Sequence, residues 1–321
     1  MQKSGRAVVG VDVGGTKILV GLVSDAGKVL RVERYAMDRS TQASSMASIE
    51  AAVTAFLGAP GDGPAPLAMG MGVVGQTDPA TATWVRAMNI PIHESINIQS
   101  WLGDRYGLPV ALDNDVHAAT LAELRWGAGG GARDFIYLNV GTGLAAGLVC
   151  NGQLVRGVSN HAGELGHMAV AGDDILCPCG RHGCLEPVAS GGGMIQRVRD
   201  LLPQYSDSTL HKLQDELTSQ AIFAASDAGD ALAQRIASEA VEALAKALAN
   251  LINLLNPEVI VVGGGVLADG WFLPRVQAAT ERQALGAAYR ALRGILPSAL
   301  NPGWVGLLGA ATLAWGLVAQ E

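Results

Sequence analysis

Residues 7–23 read AVVGVDVGGTKILVGLV: an apolar run over 7–12, the turn Val13-Gly14-Gly15-Thr16-Lys17, and a second apolar run over 18–23. Both runs are short, rich in β-branched residues and bounded by glycine. That pattern predicts two strands joined by a tight turn rather than one helix. The figure returns further on, with a strand predicted over 135–140, a turn at Gly141-Thr142-Gly143 and a strand over 144–150. Two halves that open alike form an internal repeat.

Working outward, a third strand is predicted over 29–35, after the Asp25-Ala26-Gly27 turn, and a helix over 44–57. A Gly/Pro-rich loop over 58–66 leads to a strand over 67–74. A short strand over 109–112 runs into a helix over 115–126, and the glycine-rich stretch 127–131 separates the halves. The second half carries a long amphipathic helix over 231–255, stopped by Asn256-Pro257, and a strand over 259–262 that enters Gly263-Gly264-Gly265. A last helix is expected over 306–318. Alternating strands and helices predict two α/β domains, as does a length of 321 residues, beyond what one core usually serves.

Hydrophobic residues make up 49% of the chain and charged residues 16%, a globular balance. No apolar run approaches the ~18 residues of a membrane span, and the N-terminal residues carry no apolar signal core, so a cytoplasmic protein is expected. The net charge is −7, from 22 basic and 29 acidic residues. Scattered basic residues argue against a nucleic-acid partner. An acidic protein that binds polyphosphate must do so locally, with backbone N–H groups, helix N-termini and a metal ion.

Glycine turns at strand ends suit that task, because a Cβ obstructs close backbone approach. There are three: Gly14-Gly15 with Thr16 and Lys17, Gly141-Thr142-Gly143, and Gly263-Gly264-Gly265. Taken singly, each reads more readily as a plain hairpin or packing turn; the ordered set of three, two of them bearing a Thr, favours phosphate. Between the first two lies Asp113-Asn114-Asp115-Val116-His117, at a strand end and a helix start. It reads either as a helix N-cap or as a carboxylate placed to act as a general base.

Cys177-Pro178-Cys179-Gly180-Arg181-His182-Gly183-Cys184 holds three of the four cysteines. Three thiolates at this spacing leave a tetrahedral metal site one ligand short. His167 can complete a closed Cys3His zinc site, with His182 as the competing ligand. Cys150, in an apolar strand, reads as a core thiol.

Together the DVGGTK turn, Asn114-Asp115, the GTG turn, Gly163-Glu164-Leu165-Gly166-His167 and the CPCGRHGCLE run resemble the ROK family of sugar kinases, in family order and over nearly the whole chain. The resemblance implies the actin-like (hexokinase-type) ATPase fold of two α/β domains around a cleft. Their expected extents are 1–120 plus 305–321 for the smaller domain and 121–304 for the larger. It implies ATP-dependent phosphorylation of a hexose or hexosamine, glucokinase-like and at the 6-hydroxyl, with N-acetylmannosamine or N-acetylglucosamine as alternative acceptors. Asp115 resembles the catalytic base. Asn89, Asn114, Glu164, His167 and Glu186 resemble sugar ligands, His167 also holding structural Zn²⁺ with Cys177, Cys179 and Cys184. Asp12 resembles the carboxylate that helps hold Mg²⁺. Gly14, Gly15, Thr16, Lys17, Gly141, Thr142 and Gly143 resemble the ATP phosphate loops, and Gly264 and Gly265 the adenosine-side turn. A homodimer or homotetramer is implied, with no nucleic acid or membrane partner.

Some positions depart from the family pattern. His117 replaces a small amide, which is expected to alter the wall of the sugar site. Ala145-Ala146 replaces a glycine pair, with an expected effect on packing only. Ile92-His93 follows Ala87-Met88-Asn89-Ile90-Pro91 where Gly-Trp is usual. The family also contains sugar-responsive repressors with a helix-turn-helix domain ahead of the first turn. That turn begins here at Asp12, so the kinase reading is expected over the repressor and over a sugar-binding protein without activity.

Overall fold

β1 (Ala7–Val13) and β2 (Lys17–Ser24) pair antiparallel from Ala7↔Ser24 to Val13↔Ile18, which leaves residues 14–16 as the tight turn at the end of the ladder. The computed structural model describes residues 5–59, 63–87, 89–172, 174–213 and 216–319. They fall into two units. Unit 1 holds the chain up to Gly131, the segment Arg156–Ala162 and the chain from Ala299; unit 2 holds Ala132–Val155 and Gly163–Ser298.

In unit 1 the chain continues through β3 (Val29–Ala36), α1 (Gln42–Gly58), β4 (Pro66–Val73), β5 (Gln76–Asp78), β6 (Thr83–Arg86) and β7 (Ile96–Asn97). A single turn α2 (Asp104–Tyr106), β8 (Val110–Asn114) and α3 (Asp115–Trp126) follow. The main sheet has the order β3-β2-β1-β4-β8, with β1, β4 and β8 parallel. The small antiparallel sheet β5-β6-β7 has strands of four residues or fewer, too short for an alternation to be read from the sequence.

Unit 2 repeats the scheme. β9 (Phe135–Val140), β10 (Leu144–Cys150) and β11 (Gln153–Val155) are followed by α4 (Glu186–Ala189), α5 (Gly191–Leu201), α6 (Ser219–Asp227) and α7 (Ala231–Leu255). Next come β12 (Val259–Gly263), α8 (Phe272–Gln283), α9 (Gly286–Ala291) and β13 (Ile295–Pro297). Its sheet order, β11-β10-β9-β12-β13, carries the same antiparallel and parallel pairings in the same sequence. The internal repeat is therefore a repeat of sheet topology. The two domains are actin-like in architecture. The expected first boundary fell after residue 120, whereas α3 runs unbroken to Trp126 and unit 1 to Gly131.

Strand β1 is buried on both faces, as alternation places successive side chains on opposite sides. Val9 and Val11 pack with Ile49, Val53 and Phe56 of α1, while Val8 packs toward α10 (Val305–Val318) with Leu307, Leu308 and Trp315. α10 is apolar nearly all round because it is sandwiched. It lies on the sheet so closely that a Cβ at Gly10 would stand 2.6 Å from the Leu307 carbonyl oxygen. No helix among the described residues is long and apolar enough to cross a membrane.

Candidate functional site

In unit 1 the register places Asp12 beside Gly72 and Gly72 beside Asp113, with Val13, Val73 and Asn114 one residue further on. The carboxyl ends of three parallel strands thus gather Asp12, Asp113, Asn114 and Asp115 at one edge of the sheet. That edge is where open α/β sheets bind ligands. The start of α3 lies directly over the middle strand: a Cβ at Gly72 would be in ordinary van der Waals contact with Ala118 Cβ at 3.7 Å and Asp115 Cα at 3.9 Å.

The helix cap belongs to Asn114, not Asp115. Asn114 Oδ1 accepts from Val116 N at 2.9 Å and its Nδ2 donates to Gly75 O at 3.2 Å. Asp115 is the first helical residue, and its Oδ1 accepts from Val116 N at 3.0 Å. Burial pushes the Asp115 carboxyl up to about 6, and the negative Asp12 adds to the rise. Burial likewise raises Asp12 to about 6, opposed by the charge of Lys17. Two carboxylates that each resist ionisation at one sheet edge mark a functional site candidate.

The first glycine turn is closed by Gly14 N donating to Lys17 O at 3.0 Å, and Thr16 stands exposed. Arg39 Nη1 lies 3.7 Å from where a Gly15 Cβ would be, a cation at the turn that no sequence pattern had singled out. Asn89 is exposed in the turn closed by Ala87 N donating to Ile92 O at 3.1 Å, while Met88 lies outside the described residues. Ile92 is fully buried and anchors that turn in the core.

In unit 2, Gly141 N donates to Gly143 O at 3.0 Å, and the first turn of α5 packs directly under this second turn. Gly191 N donates to Gly141 O at 2.8 Å and Gly192 N to Thr142 O at 3.1 Å. The run Gly191-Gly192-Gly193 hid α5 from a sequence reading because glycine is a poor helix former. Here it is required by contact, since a Cβ at Gly192 would stand 2.6 Å from Thr142 O. Ser190 caps the helix, accepting from Gly193 N at 2.9 Å. Gly264, at φ 103°, sits against the backbone of Val140, so the second and third glycine turns are neighbours. Gln220 Nε2 donates to Gly265 O at 2.8 Å.

Glu186 Oε2 accepts from Leu144 N at 2.9 Å, which places its carboxylate at the second turn. Ala146 N donates to Gly163 O at 2.8 Å and so backs the turn that presents the exposed Glu164. His167 Nε2 lies 3.9 Å from Glu164 Oε2, while its Nδ1 faces Cys177 Sγ at 3.7 Å. Cys179 and Cys184 Sγ are also 3.7 Å apart, and the four ligand atoms of His167, Cys177, Cys179 and Cys184 lie within 4.8 Å of one another. A tetrahedral ion with 2.3 Å metal–sulfur bonds has an S···S edge of about 3.8 Å, so the set fits such an ion. His182 is not in this group. The backbone N–H of Arg181 and its side chain pull the Cys179 thiol down to about 6, toward the thiolate a metal requires. Among the positions that depart from the family pattern, His117 is 3% exposed and engaged with Asp113. It is therefore not an open wall, and burial is the reason.

These elements have counterparts in known proteins. Glucokinase of Halalkalibacterium halodurans is 34% identical over 317 residues, covering 94% of this chain and 95% of that protein. The crystal structure of a ROK family glucokinase from Streptomyces griseus, in complex with glucose and AMPPNP, superposes with a TM-score of 0.77 at 33% identity, over 97% of this chain and 99% of that one. A xylose repressor of Caldicellulosiruptor bescii is 30% identical over 230 residues, 71% of this chain and 57% of that protein. The family model described as ROK matches residues 8–316, which takes in both glycine-turn repeats and the cysteine cluster. The chain belongs to the ROK family.

Proposed function

We propose that this protein is a sugar kinase that transfers the terminal phosphoryl group of ATP to a hexose hydroxyl, with glucose and its 6-hydroxyl as the leading acceptor. The observation that carries the reading is the pair Asp12 and Asp115 at the carboxyl ends of β1 and β8, both held near 6 by burial. A base with that pKa is ionised at neutral pH yet keeps a useful affinity for a proton. Asp115 takes the proton of the sugar hydroxyl as its oxygen attacks the terminal phosphorus and the bond to the bridging oxygen of ADP breaks. The Gly14-Gly15 turn of unit 1, and the turns Gly141–Gly143 and Gly264-Gly265 of unit 2, each offer backbone N–H groups to a phosphate without Cβ obstruction. Lys17, Thr16 and Thr142 add charge and hydroxyl donors, and Arg39 adds a second cation beside Gly15. Mg²⁺, when bound, would neutralise charge building on the phosphoryl oxygens. Asp12 fits it as a raised carboxylate with Lys17 as its cationic neighbour.

In unit 2, Glu164, His167 and Glu186 are the proposed sugar ligands. Zinc is the proposed ion at His167, Cys177, Cys179 and Cys184; with all four positions filled it is structural. His167 would hold such an ion through Nδ1, the nitrogen that faces Cys177, which would fix the ring and leave Nε2 beside Glu164 for a sugar oxygen. An N-acetylhexosamine remains the alternative acceptor, because pocket differences of one small group change selectivity by only ~1–3 kcal/mol. The kinase reading is preferred over a repressor's sugar sensor because a sensor needs no base, and the helix has its N-cap in Asn114, which leaves Asp115 Oδ2 without a capping role. A coupled ADP-release assay over glucose, mannose, fructose, allose, N-acetylglucosamine and N-acetylmannosamine tests it. Release above background with one of them is expected; none with any sugar rejects the reading.

A further inference from the structure

The carboxylate of Asp113 is fully buried beneath the proposed base, and none of the proposed chemistry uses it. Its Oδ2 accepts from Arg156 Nε at 3.0 Å and Nη2 at 2.7 Å. Its Oδ1 accepts from Asn160 Nδ2 at 3.0 Å and from its neighbour's Asn114 N at 2.8 Å, with His117 Nδ1 at 3.3 Å. Asn160 Nδ2 also donates to Thr77 Oγ1 at 2.7 Å. Arg156 and Asn160 both lie in Arg156–Ala162, the seven residues that join unit 1 although the chain on either side of them belongs to unit 2. The chain leaves this segment directly into Gly163 and Glu164.

His117 holds the other end of the segment. Its Nε2 lies 3.0 Å from the carbonyl oxygen of Ala162, and its Nδ1 faces the Asp113 carboxylate. A carbonyl and a carboxylate only accept, so both ring nitrogens must donate, and only the imidazolium carries two N–H groups. We infer that His117, as an imidazolium, is a positioning residue that fastens Arg156–Ala162 to Asp113, so that the order of this segment depends on one proton.

The groups facing the ring agree. Burial alone would lower its proton affinity, but Asp113 and the Ala162 carbonyl together raise it above the ordinary histidine range, against the opposing charge of Arg156. The ionised form of Asp115, on the first turn of the same helix, is favoured by the same positive charge. The segment has a cost to offset: Asn160 sits at φ 62° in the left-handed region, and its Oδ1 is buried without a partner. A segment held against such a cost responds strongly to the loss of one anchor. By linkage, a raised histidine pKa means the fastening is complete below about 6.5 and is lost as pH rises through the higher folded value.

The test uses the full chain. Amide hydrogen exchange of residues 156–162, corrected for the intrinsic pH dependence, is compared at pH 6 and pH 8.5 in the wild type and His117→Asn. Exchange roughly tenfold faster at pH 8.5 is expected in the wild type, as for loss of one charge-assisted hydrogen bond, and no pH difference in the variant. NMR titration of the His117 ring in the wild type, which needs no variant to fold, should give a midpoint above the free histidine value. A midpoint at or below it, or equal exchange at both pH values, overturns the inference.

Discussion

The carboxylate of Asp12 lies against Gly306 in the first turn of α10: a Cβ on that glycine would stand 2.5 Å from Asp12 Cγ and 2.6 Å from each carboxylate oxygen. Residues from opposite ends of the chain therefore share one small space. A helix N-terminus beside a carboxylate also favours its ionised form.

Gly306→Ala should push the Asp12 carboxylate out of place. Overpacking of this kind costs about 1–3 kcal/mol of stability, and we expect the KM for Mg-ATP to rise roughly tenfold, as a lost charge contact would. Gly316→Ala in the same helix is the control, because nothing lies within 4 Å of its would-be Cβ. It should stabilise by about 0.4–1 kcal/mol through the unfolded chain. Thermal melts and steady-state kinetics check both; equal behaviour of the two variants would show that the contact with Asp12 does not matter.

Asp115→Asn should lower kcat by ~10²-fold or more with little change in sugar KM, since the amide fills the same space but cannot take the proton. The helix should keep its cap, which Asn114 supplies. Steady-state kinetics and a thermal melt on one preparation separate the two roles. A variant retaining most of its kcat would move the search for the base to Glu164 and Glu186.

Both carboxyls titrate near 6 in the folded chain against an ordinary value of 3.8. A carboxyl raised on folding binds more protons in the native state, so its ionisation costs stability as pH rises from 3.8 toward 6. Asp115→Asn should therefore melt higher than the wild type at pH 7.5, with the gain shrinking toward pH 4.5. Activity runs the other way: kcat should fall as pH drops through about 6, when the base is protonated. Asp12→Asn, by removing the neighbouring negative charge, should move the midpoint of any residual activity downward. A profile flat from pH 5 to 8 would be inconsistent with Asp115 as the base.

About one zinc per chain is expected from elemental analysis of protein purified without chelator. Cys179→Ser should release it and lower both the melting temperature and sugar affinity, because His167 loses the ion that fixes its ring. Zinc-free protein with full stability would remove the structural metal from the account.

Much of the architecture was legible in the chain itself. The strands of residues 7–23 and 135–150, the helices Asp115–Trp126 and Ala231–Leu255, and the glycine turns between them announce themselves because apolar period and backbone permissiveness are local properties. The Cys3His spacing was equally local. The strands β5 to β7 were too short to show a period, and α5 was masked by the glycines that its contact with Thr142 demands.

The family, the strand–turn–strand repeat and the residue types available for chemistry are all readable along the chain, since each depends on neighbours a few positions apart. What those residues are free to do follows from the fold. It assigned the N-cap to Asn114 rather than Asp115, raised both Asp12 and Asp115 by burial, and set Gly306 against Asp12. It also turned His117 inward onto Asp113 and Ala162. The physical reason is common to all four: burial and hydrogen-bond partnership are contributed by segments distant in sequence, and a local pattern carries no record of them.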